Sequence, residues 1–180
     1  MSRKDTCLFG RERIVGGGEY SDESIVCCIE SSGLLDEDCY LLSPLLNVSN
    51  RLKKTRIGLA PVIVAPVNRN GRHWVLYILQ KTPRGTYKWS FGDSMGGGAR
   101  AAEVQRIASL LDIMTTNLSF DVPALADISI LPIPRQPDIV SCGAYVTEAA
   151  LRFLAKRERR WPGPRELREK HARIVEQYYR

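Results

Sequence analysis

The chain predicts one soluble domain in which a small sheet is packed with helices, and three observations lead there. Apolar, β-branched runs at Arg56 to Val67, His73 to Leu79 and Thr86 to Phe91 are separated by turn signals, so they read as a three-strand meander. Stretches with helical apolar spacing begin after Ser21, Ala99 and Cys142. A length of 180 residues with 44% hydrophobic content suits a single core.

In chain order, residues 1–20 are polar, carry Gly16, Gly17 and Gly18 in a row, and are expected to be a mostly irregular lead-in. Ser21 then caps a short helix with Asp22 and Glu23 in its first turn and Gly33 as its stop. Cys27 and Cys28 fall inside it as small packing residues. Leu41 to Leu46 is a further short element, with Cys39 just before it.

The run from Arg56 to Val67 is a strand with a proline-interrupted edge. Asn68 to Arg72 contains Asn-Gly, the signal for a tight reversal into the strand His73 to Leu79. Lys81 to Gly85 turns the chain again into Thr86 to Phe91, which ends at Gly92-Asp93-Ser94. Antiparallel pairing of the last two strands brings His73 and Asp93 to one edge of the sheet. Gly96, Gly97 and Gly98 lack the Gly-Lys-Ser/Thr ending of a nucleotide loop and read as a flexible connection before the helix Ala99 to Met114. Ile128 to Ile133 is a fourth short strand, Cys142 to Lys156 a helix, and Pro162-Gly-Pro164 breaks the chain before a last helix to Tyr179. Residues 21–160 are thus expected as one domain and 161–180 as a basic C-terminal helix.

No apolar run approaches the roughly 20 residues a membrane helix needs, so no membrane partner is expected. Five cysteines without a repeating spacing argue against a disulfide framework and for a reducing, intracellular compartment, cytoplasm or nucleus. Only His73 and His171 could join them in a metal site, and no ligand spacing supports one. The net charge of +6 lies wholly in the last thirty residues, where ten Lys or Arg face four Glu. Such a segment can attract nucleic acid or an acidic surface, although a solvated helix face is the commoner explanation.

The chemistry centres on Gln136 to Val146. A polar loop ending in Ser-Cys-Gly runs into a helical pattern, which sets the Cys142 thiol at a helix N-terminus, where the dipole and free N–H groups favour a thiolate. A nucleophilic thiol needs a base and a group to orient that base. His171, among Glu169, Lys170 and Arg173, reads as a solvated surface residue. His73 at the strand edge reads as the base, with Asp93 in reach of its other ring nitrogen. The backbone N–H of Cys142 and the amide of Gln136 are candidate oxyanion donors. Each piece alone is more often structural; their order along the chain is what points to catalysis.

Those residues resemble a known family. His73-Trp74 in an apolar strand, Asp93-Ser94 after the next, and Gln136-Pro137 six residues before Cys142-Gly143 are similar to the motifs of ubiquitin-like-protein-specific cysteine proteases. That clan includes SUMO proteases, bacterial deubiquitinating effectors and adenovirus-type maturation proteases. Tyr20-Ser-Asp-Glu-Ser-Ile also resembles an early segment of the family, so the likeness runs from about Tyr20 to Phe153.

The resemblance implies an α+β fold, a circularly permuted papain-like arrangement in which the nucleophile helix packs on a small mixed sheet. It implies Cys142 as nucleophile, His73 as base, Asp93 as its orienting group and Gln136 in the oxyanion hole. Trp74 would cover a narrow tunnel that admits only glycines, with Tyr20 and Gly143 as further substrate-binding positions. The implied activity is cleavage after a Gly-Gly C-terminus of ubiquitin or a ubiquitin-like modifier, without a cofactor, by a monomer. Two positions depart from the pattern: Tyr20 stands where a second tunnel tryptophan is usual, and Ser141 where an aspartate often precedes the nucleophile. The alternatives are an adenovirus-like maturation protease stimulated by nucleic acid, an acetyltransferase of the same clan, and a catalytically silent module that binds a modifier.

Overall fold

In the computed structural model, residues 11–42, 60–114, 120–157 and 160–179 are described. Cys7, the 43–46 part of the element expected at Leu41 to Leu46 and the 56–59 start of the first long strand lie outside them. Helix α1 spans Asp22–Ser31, and its Ser21 side chain accepts a hydrogen bond from the Ser24 N–H, the capping read from the sequence. Strands β1 (Cys39–Leu41), β2 (Val62–Arg69), β3 (His73–Lys81) and β4 (Tyr87–Gly92) follow. After them come α2 (Ala101–Met114), the short strand β5 (Ser129–Ile130), α3 (Cys142–Leu154) and α4 (Pro164–Tyr179).

The five strands lie in sequence order, with β1 parallel to β2, β2–β3–β4 antiparallel, and β5 parallel to β4. The mixed sheet fits the expected α+β class. Asn70 and Gly71 both take positive φ, 56° and 72°, and the Arg72 N–H bonds the Arg69 carbonyl, so Asn-Gly closes the hairpin as its chemistry dictates. Residue Arg69 is thereby set directly opposite His73. Among the described residues β1 pairs as far as Val64, two positions short of Pro66 on that side of β2.

Strand β3 is buried on both faces, which explains its unbroken apolar run. Trp74, Leu76 and Ile78 pack with α1, α3 and α4, whereas Val75, Tyr77 and Leu79 pack with α2. Helix α3 therefore lies on one side of the sheet and α2 on the other.

Three expectations change. Residues 11–15 are helical rather than irregular, and Ile14 is fully buried. Arg11 pairs with Glu176 of α4 at 2.7 Å, so the lead-in is tied to the last helix. That helix in turn contributes Leu167, Ala172 and Val175 to the core shared with α1 and α3. Finally, Cys27 is disulfide-bonded, whereas Cys28, Cys39 and Cys142 are free thiols. A single bridge leaves no spacing signature in a sequence, and its presence removes the cysteine-count argument for a reducing compartment.

Candidate active site

The site forms where the β2–β3 hairpin, the end of β4 and the start of α3 meet. Asp93 follows β4 directly, and its Oδ1 lies 2.8 Å from His73 Nε2. The same oxygen accepts the Met95 N–H at 2.7 Å, and Oδ2 accepts from Arg69 Nη1 at 3.0 Å. Burial opposes ionisation of Asp93, but His73, Met95 and Arg69 outweigh it and hold its carboxyl below the usual range. The edge placement read from the strand order is therefore realised.

With Nε2 committed to Asp93, the buried Nδ1 is the nitrogen left to face the Cys142 thiol. The pKa of His73 is pushed up to about 9, first by the Asp93 bond and then by the neighbouring Cys142 thiol. A thiol beside an imidazole whose other nitrogen holds a carboxylate is the arrangement that thiol-dependent acyl transfer requires.

Cys142 is the first residue of α3 and is buried. The loop before it is ordered by Asp138, a residue whose part the sequence reading missed. Its Oδ1 accepts the N–H groups of Val140 and Ser141, and its Oδ2 accepts the Ser141 hydroxyl at 2.7 Å. Ser141 thus has a structural account: a serine at this position completes an Asx-type turn built on Asp138. The signal was available as Pro-Asp with a serine three residues on.

Gln136 is also fixed at both ends of its amide. Its Oε1 accepts from the Ser94 hydroxyl at 2.5 Å, and its Nε2 donates to the Asp138 carbonyl at 2.6 Å. The Gln136 N–H bonds the Ser94 carbonyl, so the loop after β4 and the loop before α3 are joined twice. One hydrogen of the Gln136 amide is left for another acceptor.

Trp74, Tyr20 and Gly143 come together as a tight set. Trp74 Nε1 donates to the Tyr20 carbonyl at 2.9 Å. A Cβ on Gly143 would meet Tyr20 Cβ at 2.5 Å and Trp74 Cδ1 at 3.3 Å, so only glycine fits after the cysteine. Tyr20 is buried with its phenol turned to the core, and burial keeps it protonated far above neutral pH.

The expected surface location of His171 is wrong. Its side chain is fully buried, with Nδ1 3.0 Å from the Tyr20 hydroxyl and Nε2 3.4 Å from Glu148 Oε2. Burial pushes its pKa below the ordinary value, so the neutral ring donates from Nε2 to Glu148 and accepts at Nδ1 from the phenol. Glu148, on α3, also pairs with Arg152 and Lys170. Burial would raise its pKa, but those three partners hold it at about 2. Arg168 lies over the Tyr20 ring and donates to the carbonyls of Ile14 and Val140. Arg168 of the basic helix thus faces inward, and Lys170 reaches the buried Glu148 from the surface.

Fold and site together define a cysteine peptidase. The chain belongs to the Ulp1 protease family: the family's C-terminal catalytic domain matches residues 46–180. Among solved structures it is similar to the SUMO protease Ulp1 with its catalytic cysteine oxidised to a sulfonic acid, with 20% identity, a TM-score of 0.74, and 100% of this chain and 88% of that one covered. The yeast C-terminal Ulp1 protease domain in complex with Smt3, the yeast ortholog of SUMO, gives 20% identity and 0.69 over 96% and 84%. The Xanthomonas campestris effector XopD bound to ubiquitin gives 17% and 0.56 over 87% and 91%. At these identities the likeness is one of fold. Comparison with curated proteins finds no significant match.

Proposed function

We propose that this peptidase cleaves after the C-terminal Gly-Gly of ubiquitin or a ubiquitin-like modifier, releasing it from a precursor or from a lysine side chain. The observation that carries the reading is His73, bonded through Nε2 to Asp93 and presenting its buried Nδ1 to the Cys142 thiol. Membership of the Ulp1 family and the SUMO and ubiquitin complexes of its structural neighbours support the substrate class.

In this reading the Cys142 sulfur attacks the glycine carbonyl as a thiolate, paired with the His73 imidazolium. The tetrahedral oxyanion takes the Cys142 backbone N–H and the remaining Gln136 amide hydrogen. His73 then gives its proton to the leaving amine, and a thioester remains on Cys142. Water, deprotonated by His73, hydrolyses that thioester and restores the thiol. In the same reading Trp74 and Tyr20 flank the path of the modifier's C-terminus beside the nucleophile and select glycine by excluding side chains.

The test is a set of linear fusions of ubiquitin and of SUMO, each ending in Gly-Gly or with alanine in place of either glycine, followed by a reporter. Cleavage after the second glycine of at least one modifier, lost in both alanine forms, is expected. Equal cleavage of the alanine forms contradicts the reading.

A further inference from the structure

Asp93 uses its two oxygens differently. One faces His73, and the other is held by Arg69, a residue that the catalytic reading leaves idle. The Arg69 guanidinium is 6% exposed and fully engaged: Nη1 on Asp93, Nε and Nη2 on the two oxygens of Glu103, and Nη2 also on the Gly98 carbonyl. Glu103 is itself fixed by the Tyr77 hydroxyl at 2.6 Å. The two-pronged contact with Glu103 sets the plane of the guanidinium, so Nη1 has one direction in which to point.

The glycine run, which reads in the sequence as a flexible connection, closes this seat from the other side. A Cβ on Gly97 would lie 2.6 Å from Asp93 Oδ2 and 3.4 Å from Arg69 Nη1. The Gly98 carbonyl is one of the guanidinium's acceptors. Charge also balances. Two buried carboxylates beside one guanidinium leave a single negative charge, which the imidazolium form of His73 neutralises.

Resting on the proposed catalytic roles, we propose that Arg69, braced by Glu103 and by the close-packed Gly97–Gly98 backbone, is a positioning residue that fixes the rotation of the Asp93 carboxylate and hence the orientation of His73. Its counterpart explanation is a buried ion pair that only fastens α2 to the sheet. The two differ in what His73 feels when the seat is loosened without changing the charge.

Two variants loosen it independently. R69K keeps the cation but not the fork, and G97A, in an exposed loop, pushes on Asp93 Oδ2 while leaving Arg69 in place. The His73 imidazole is titrated by NMR in the wild type and in both, a measurement that needs no substrate and so stands whatever the peptidase is found to cleave. The midpoint is expected to fall in both from about 9 toward the ordinary 6.5. On a substrate that is cleaved, kcat falls by up to about 10²-fold with KM little changed. Adding R69K to D93N costs nothing further. An unchanged midpoint in G97A overturns the proposal even if R69K fails to fold, and an unchanged midpoint in folded R69K does the same.

Discussion

Tyr20 and His171 stand 151 positions apart and share a buried hydrogen bond of 3.0 Å, phenol to Nδ1. It joins the residue that closes on Gly143 to the middle of the last helix. Tyr20→Phe leaves Nδ1 without its donor inside the core, at a cost of about 1–3 kcal/mol. Urea unfolding of the wild type and the variant measures it, and an unchanged midpoint contradicts the role.

Gly143→Ala is expected to be worse than a typical glycine replacement in a helix. The new methyl lands on Tyr20, which His171 and Arg168 hold from behind, so the neighbour has nowhere to retreat. Overpacking of this kind costs about 1–3 kcal/mol. The start of α3 shifts with it, so kcat/KM should fall along with the melting temperature. A variant of wild-type stability and activity would show that the contact yields.

The pH profile carries two signs. His73 has a folded value of about 9 against an ordinary 6.5, so its stabilising contribution is complete below 6.5 and lost as pH rises through about 9. In the proposed mechanism the His73 imidazolium protonates the leaving amine, and it is lost as pH rises through about 9, so kcat/KM should have its alkaline limb there. Asp93→Asn removes the largest cause of the shift, and its residual activity should fall off at lower pH than that of the wild type. An alkaline limb that does not move separates His73 from Asp93.

At the acid end Glu148 governs. Its folded value of about 2 lies below the ordinary 4.5, so its contribution is complete above 4.5 and is lost as pH falls through about 2. His171 adds in the same direction, because its depressed value makes the unfolded chain take up a proton first below 6.5. Glu148→Gln should be less stable at neutral pH and should lose part of the acid slope. Parallel stability curves for the two proteins, from neutral pH downward, contradict this assignment.

Much of this arrangement is legible in the sequence where the signals are local. Asn70-Gly71 announces the hairpin, the doubly buried β3 reads as a continuous apolar run, and the capped helix at Ser21 starts where its chemistry says. His73 and Asp93 could be placed together because antiparallel pairing converts strand ends into neighbours. What local patterns do not carry is partnership at a distance. Arg69 sits inside a turn motif and Glu103 lies 34 positions on, so neither announces the other. His171 was masked by the charges of Glu169, Lys170 and Arg173. Its spacing from Leu167 and Val175, four residues on either side, nevertheless puts it on the buried stripe of α4. Asp138 is hard to single out because a carboxylate after proline reads as a turn former, and here the turn it forms leads straight into Cys142.

In the proposed function Cys142 is the nucleophile for a Gly-Gly-ended modifier. Ubiquitin and SUMO proteins bearing a thiol-reactive group in place of the C-terminal carboxyl test it directly, with adducts located by peptide mass mapping. A covalent adduct on Cys142 is expected with at least one modifier, absent in Cys142→Ala and in His73→Ala, and retained in Cys28→Ala, whose thiol is buried in the core. Labelling of another cysteine, or of none across the modifiers, contradicts it.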